Sequence, residues 1–237
     1  MKILGIETST YSGSIAIVDD DRILGELSLG VGPEHSEKLL PMLDWLLKEI
    51  GLERREIQGI VVSVGPGSFT ALRVGISTAK GLAFSLGIPV VGVSSLEVLA
   101  GNLPFALFNV CPIIDAKKKE VFAAFFRYSD VCRDEVTPPL HRISDDMLIL
   151  PQKLIGIIHE KTIFIGDGVV LYKDFLKSTL GELAIFCPSS LNFPRAANCV
   201  LLGAQRINNG LKDDLSILAP RYLRRAEAEI SKEGVIR

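Results

Sequence analysis

The chain has 237 residues, 26 of them basic and 28 acidic, for a formal net charge of -2, and 48% of it is hydrophobic against 23% charged. This is the balance of an ordinary globular protein, long enough to build a core without a metal or disulfide staple. It excludes a polybasic nucleic-acid binder, so any contact with RNA has to be local or made by a partner.

The opening Ile3-Leu4-Gly5-Ile6 meets Glu7 at once, too short a run for a signal peptide or a membrane helix, and a cytoplasmic protein without membrane contact is expected. A strand over Ile3 to Ile6, a polar turn from Glu7 to Gly13, a strand over Ser14 to Val18, an Asp19-Asp20-Asp21 turn and a strand over Ile23 to Leu29 make an antiparallel meander. A helix follows from about Ser36 to Ile50. Leu39, Met42, Leu43, Leu46 and Ile50 recur there at helical spacing, and Pro41 falls near the first turn, where a missing N–H costs least. Ile60 to Val64 reads as a buried strand, Gly65-Pro66-Gly67 as a turn, and Ser68 to Leu86 as a long helix stopped by Gly87. Strand, helix, strand, glycine turn, helix is the grammar of a parallel α/β layer.

An internal repeat follows. Ile6-Glu7-Thr8 and Ser14 to Val18 are echoed by Ile114-Asp115-Ala116 and Phe122 to Phe126 at a constant offset of 108 (115 − 7 and 124 − 16). The second half has its own strand, Thr162 to Ile165, and a Gly166-Asp167-Gly168 turn into an apolar helix over Val169 to Leu176. Two similar α/β lobes imply a cleft between them.

In such a fold an acidic residue ending the first strand of each lobe faces the cleft, where it can hold the Mg²⁺ of a nucleotide. Glu7 and Asp115 occupy those places. Thr8, Ser9, Thr10 and Ser12 can line a phosphate-sized turn, and Gly65 and Gly67 offer free N–H groups at a helix start. The same features are ordinary backbone geometry, with Ser68 a plain N-cap, so at most a vestigial nucleotide cleft without resident cofactor is expected. The only histidines, His35, His141 and His159, stand too far apart for any HExxH, HxxxH or HxH motif. His35 reads as a cap or surface residue at the mouth of the first helix, the other two as solvated. No serine has a GxSxG elbow. Lys117-Lys118-Lys119 reads as a solvated turn, and Cys111, Cys132, Cys187 and Cys199, scattered without a CxxC pair, as buried free thiols.

On the first helix Leu40 and Leu47 lie off the main stripe, so it is apolar on more than the face its own sheet covers. On the second, Ala71, Gly75 and Ala79 make a ridge of small residues that lets another helix approach. Both features point to a partner, with a thick core as the competing reading.

The segments Ile3 to Ser9, His35 to Pro41, Val64 to Gly75, Lys80 to Ala83 and Val93 to Glu97 resemble those of the TsaB (YeaZ) family. The likeness is strong over residues 1–100 and weaker beyond, although Ile114 to Phe122 and Pro220-Arg221-Tyr222-Leu223-Arg224 also fit. It implies a duplicated actin-like, sugar-kinase-like ATPase (ASKHA) fold of class α/β. The lobes are expected over residues 1–105 and 106–215, the last helix able to pack back on the first lobe, with a charged tail over 216–237. The resemblance also implies a place in the complex that transfers threonylcarbamoyl to adenosine 37 of transfer RNAs reading codons that begin with A. There the family acts as a non-catalytic scaffold beside the catalytic TsaD paralogue and the TsaE ATPase. Glu7 stands where many members have Asp. Set against TsaD, His35 matches one histidine of the first metal motif, but Leu39 takes the second ligand's place. The second motif falls at Ser94-Ser95-Leu96-Glu97-Val98, without histidine. The first two helices are then expected to pair with the paralogue, or with a second copy in its absence, around Leu40, Leu47, Arg73, Ile76 and Lys80, and tRNA to be contacted mainly through the complex. The alternative is an active enzyme of the same fold, kinase-like through Glu7 and Asp115 or metallopeptidase-like.

Overall fold

The structure, a computed structural model, describes residues 1–32, 34–129 and 139–224. Strands β1 (Lys2–Glu7), β2 (Ser12–Asp19) and β3 (Arg22–Gly30) form the expected meander. Helix α1 (His35–Glu49) leads to β4 (Gly59–Ser63), α2 (Phe69–Leu86) and β5 (Val90–Val93). These strands make one sheet in the order β3-β2-β1-β4-β5, with β1, β4 and β5 parallel. After α3 (Ser95–Ala100) come β6 (Asn109–Asp115), β7 (Val121–Ala123), β8 (Phe126–Tyr128), β9 (Leu140–Arg142) and β10 (Met147–Ile149). The short α4 (Pro151–Leu154), β11 (Thr162–Ile165), α5 (Asp167–Leu180), β12 (Ala184–Phe186) and α6 (Ala196–Asn208) follow. The second sheet runs β10-β7-β6-β11-β12, the plan of the first repeated, with β8 and β9 added beside β6. Two copies of one sheet plan make this the duplicated actin-like fold.

The repeat is not as regular as its constant offset implied. Gly5 pairs with Ala16 and Ile113 with Ala123, so the first strands differ by 108 and the second by 107 (123 − 16). The second hairpin turn is therefore one residue shorter. Lys117, Lys118 and Lys119 close it with φ of 61°, 51° and 63°, and the N–H groups of Ala116 and Glu120 donate to the carbonyls of Glu120 and Lys117, both at 3.0 Å. Left-handed backbone costs a residue with a side chain roughly 1–2 kcal/mol, so this turn concentrates strain at the end of β6.

Strand alternation divides the first sheet between two cores. Leu4, Ile6, Ile60 and Val62 face α1 and α2; Ile3, Val61, Val91 and Val93 face Cys199, Val200 and Ile207 of α6. Two glycines let α6 lie close: a Cβ on Gly5 would stand 2.3 Å from the Ala196 carbonyl oxygen, and one on Gly203 2.5 Å from the Val61 side chain. In the second lobe α5 covers one face of the sheet through Val169 and Leu176, and α3 the other through Leu96 and Leu99. The helices that follow β5 and β12 are thus exchanged: α3 lies on β6, and α6 on β1.

Two residues expected at a partner surface belong to the first core. Leu47 and Ile76 are 4% and 3% exposed and pack among Leu43, Leu46 and Ala79. The seam between α1, α2 and the sheet is deep enough to enclose a second row of side chains. The small-residue ridge also turns inward: a Cβ on Gly75 would meet Thr8 Oγ1 at 2.3 Å, and that hydroxyl donates to the Ala71 carbonyl at 2.9 Å. Cys111 and Cys199 are buried free thiols and Cys187 a half-buried one; Cys132 lies outside the described residues. Among the described residues no helix is long and apolar enough to cross a membrane.

Candidate functional site in the cleft between the lobes

A cleft of about 870 Å³ opens between the lobes. Its walls are the β1–β2 turn (Ser9, Thr10, Tyr11), the entry to α2 (Gly67 to Thr70), the β6–β7 turn (Asp115 to Lys118) and Asp167 at the start of α5. The entry to α2 sits directly on the β1–β2 turn. A Cβ on Gly67 would stand 2.2 Å from the Ser9 carbonyl oxygen, which accepts the Ser68 N–H at 2.7 Å. Ser68 is the N-cap residue but makes no side-chain cap bond. The glycine turn is therefore a seat for α2.

Of the residues expected to line a nucleotide cleft, Ser9, Thr10, Gly67 and Asp115 do so, while Glu7, Thr8, Ser12 and Gly65 do not. Glu7 shares its strand face with Ile3 and Gly5 and is wholly buried beneath α6. One carboxylate oxygen accepts the Ser9 N–H at 2.6 Å and the other lies 3.8 Å from Cys199 Sγ. Burial pushes this carboxyl above the usual range against the opposing pull of the Ser9 hydrogen bonds, and burial, with the Glu7 charge adding to it, pushes the Cys199 thiol up as well. Thr8 points the other way, under α2. Gly65, with φ of 106°, is packed between Leu72 and the Arg221 backbone.

Asp115 is at the cleft but already engaged. Its carboxylate accepts the Lys117 N–H at 2.8 Å and pairs with Lys117 Nζ at 2.7 Å, while its own N–H donates to Asp167 at 2.9 Å. Burial, with the Asp115 charge adding to it, raises Asp167 above the usual carboxylate range. His35, read from sequence as a cap or surface residue, is instead 4% exposed beside Gly13, and burial holds its ring below the usual histidine range. His141 meets the Ser129 hydroxyl, and His159 is exposed. Among the described residues no group of three or more His, Cys, Asp or Glu stands together at metal-ligand geometry.

Sequence reasoning missed how the chain enters the cleft after α6. Asp213 donates its N–H to Val90 at 2.8 Å and accepts the Gly92 N–H at 2.7 Å, tying the segment to β5. The Leu218 carbonyl accepts Lys80 Nζ at 3.2 Å, which turns Lys80 toward this segment, and the Arg221 N–H donates to Val64 at 2.7 Å. Tyr222 then stacks on Phe69 with centroids 4.6 Å apart. Arg224 reaches the other lobe, donating to the Ala116 carbonyl at 2.8 Å and pairing with Glu120. The signal for this was the run from Pro220 to Arg224, which carries no helical or strand period.

The sequence pattern of the TsaD family, tRNA N6-adenosine threonylcarbamoyltransferase, matches residues 29–232. The chain is 32% identical to the tRNA threonylcarbamoyladenosine biosynthesis protein TsaB of Bacillus subtilis, over 97% of this chain and 96% of that one. It belongs to the TsaB family. The TsaB protein of Haemophilus influenzae is 30% identical over 81% of this chain and 82% of its own length. The solved structure of YeaZ from Pseudomonas aeruginosa superposes with a TM-score of 0.76 at 25% identity, covering 94% of this chain and 99% of that one. The two-lobed plan of this TsaB-family chain is therefore shared along nearly its whole length.

Proposed function

We propose that this chain is a non-catalytic subunit of the machinery that makes threonylcarbamoyladenosine in tRNA, and that it holds and supports the TsaD-type paralogue that carries the transfer. One observation carries the reading: the chain matches the TsaD pattern over residues 29–232, yet the positions of that family's metal motifs are built into its core. His35 and Leu39 are 4% and 3% exposed and Ser94, Ser95, Leu96 and Val98 are buried, and His35 is the one imidazole among these positions. One enclosed imidazole beside a leucine and serines does not supply the three or four ligands that a Lewis-acid site needs.

The partner surface is the outer face of α1 and α2. Leu40 is 44% and Trp45 53% exposed on α1, Phe84 is 82% exposed on α2, and Arg73, exposed Ser77 and exposed Gly81 share the outer side of α2, with Lys80 at its edge. Large exposed apolar groups on adjoining helices mark an interaction surface, and Trp and Arg are the residue types that anchor one. Related subunits can meet through equivalent helices about a pseudo-twofold axis, a second copy of the chain taking the place when the paralogue is absent. A TsaE-type ATPase completes the assembly, and tRNAs reading codons that begin with A reach the chain mainly through it, in the cytoplasm. The test is sedimentation of the chain with the TsaD-type paralogue, together with tRNA modification in the reconstituted system. Trp45→Asp and Phe84→Asp are expected to stay folded, to weaken association at least about tenfold, and to lower modification with it. Failure of the parent chain to associate with the paralogue defeats the reading.

A further inference from the structure

We propose that the mouth of the cleft is a binding surface for unpaired RNA, with Tyr11 and the stacked Phe69–Tyr222 pair as two base-stacking platforms and Arg73 and Arg221 as phosphate contacts. The choice of RNA among polyanions rests on the function proposed above; the surface itself rests on the geometry. Three aromatic side chains line one cleft and remain accessible: Tyr11 is 63%, Phe69 39% and Tyr222 44% exposed. Tyr11 is held rather than loose. Its carbonyl accepts the N–H groups of Val31 and Gly32 at 3.2 and 3.1 Å, and its ring rests on two glycines. A Cβ on Gly30 or Gly32 would stand 3.1 or 3.0 Å from ring carbons. The chain thus uses two glycines, one of them at φ 56°, to seat an aromatic ring that buries little of itself. Phe69 and Tyr222 form a second platform, stacked at 23° between ring planes with the Arg73 guanidinium 5.4 Å from the Phe69 centroid.

The charge around these rings is unlike that of the chain. Arg73, Lys117, Lys118, Arg221 and Arg224 line the cleft beside Asp115 and Asp167, five cations and two acids in a protein of net charge -2. Lys117 and Arg224 are matched by Asp115 and Glu120, whereas Arg73 and Arg221 have no carboxylate partner among the described residues. Unpaired RNA is recognised in this way: bases splay onto aromatic and guanidinium planes while cations follow the backbone. A duplex presents no base faces to such platforms. A free nucleotide would have to be held by the Ser9, Gly67 and Asp115 turns, where the Ser9 carbonyl is taken by the Ser68 N–H and the Asp115 carboxylate by Lys117.

The experiment is fluorescence anisotropy of a labelled single-stranded 12-nucleotide RNA, and of its duplex, titrated with the full chain. Binding in the range of about 1–100 μM is expected for the single strand at moderate salt, with the duplex weaker. Tyr11→Ala, whose ring touches glycine backbone, is expected to weaken it by roughly tenfold without lowering the thermal midpoint, and Tyr11→Phe to restore it. Tyr222→Ala should weaken binding likewise and Tyr222→Phe should not. Arg73→Ala and Arg221→Ala should each reduce the slope of log affinity against log salt by about 0.7. The proposal is overturned if Tyr11→Ala and Tyr222→Ala bind as the parent does, if the duplex binds as tightly as the single strand, or if millimolar ATP displaces the RNA. Association with the TsaD-type paralogue, measured beside it, distinguishes loss of this surface from failure of the subunit reading.

Discussion

Replacing Ile76 by alanine separates the core of α2 from its surface. The side chain is 3% exposed, so the three carbons removed were all out of water. At about 0.8 kcal/mol per buried carbon the transfer loss is about 2.4 kcal/mol. The cavity left against Ala79, Leu43 and the sheet adds to it, for a total of roughly 3–4 kcal/mol. For a chain of this size that lowers the thermal midpoint by roughly 10 °C. The assay is urea unfolding followed by far-UV circular dichroism, run beside Trp45→Ala, which removes a half-exposed side chain and is expected to stay within about 0.5 kcal/mol of the parent. Partner affinity should show the opposite ranking, lost in Trp45→Ala and kept by whatever Ile76→Ala remains folded. If Ile76→Ala unfolds with the parent and fails to bind, Ile76 faces a partner and the assignment to the core is wrong.

Glu7→Gln tests the buried carboxyl through pH. Its folded value lies above the ordinary 4.5 because burial disfavours the charge. Both states are protonated below the unfolded value and the group then costs nothing; as pH rises past it the unfolded chain ionises first and stability falls until the folded value is passed. The variant is therefore expected to match the parent near pH 4 and to gain on it as pH rises, and a difference that stays flat with pH contradicts this. Lys119→Gly relaxes one left-handed residue of the β6–β7 turn. After the greater freedom of glycine in the unfolded chain is set against it, a gain of about 0.5–1 kcal/mol and a rise of roughly 2 °C are expected; a fall in the thermal midpoint refutes it.

The meander and the two long helices were legible because period and punctuation are local: α1 runs from His35 to Glu49 against an expected Ser36 to Ile50. Depth was not legible. A helical stripe gives the direction of Leu47 and Ile76 but not how far the neighbouring elements rise around them. Glu7 shows the same limit in a strand. Parity puts it with Ile3 and Gly5, but which face of β1 borders the cleft depends on α6, nearly two hundred residues away. The repeat was read correctly in order and wrongly in register because a one-residue deletion hides in a turn that three lysines close at positive φ. Of the cleft, the turns were found and the platform was missed: Tyr11, Phe69 and Tyr222 come together only when the segment after α6 has crossed β5.

The exchange of helices between the lobes sets an order in time as well as in space. The first sheet has all its strands once Val93 has been made, but the helix that covers its second face ends at Asn208, 115 residues later (208 − 93). At about 5–20 residues per second the ribosome needs roughly ten seconds to deliver it. Throughout that interval Ile3, Val61, Val91 and Val93 form an uncovered apolar face on a nascent chain. Completion of the N-terminal half thus comes late in synthesis, and a chain that ends before Ala196 keeps every strand of that sheet while losing the cover that keeps it from sticking to its neighbours.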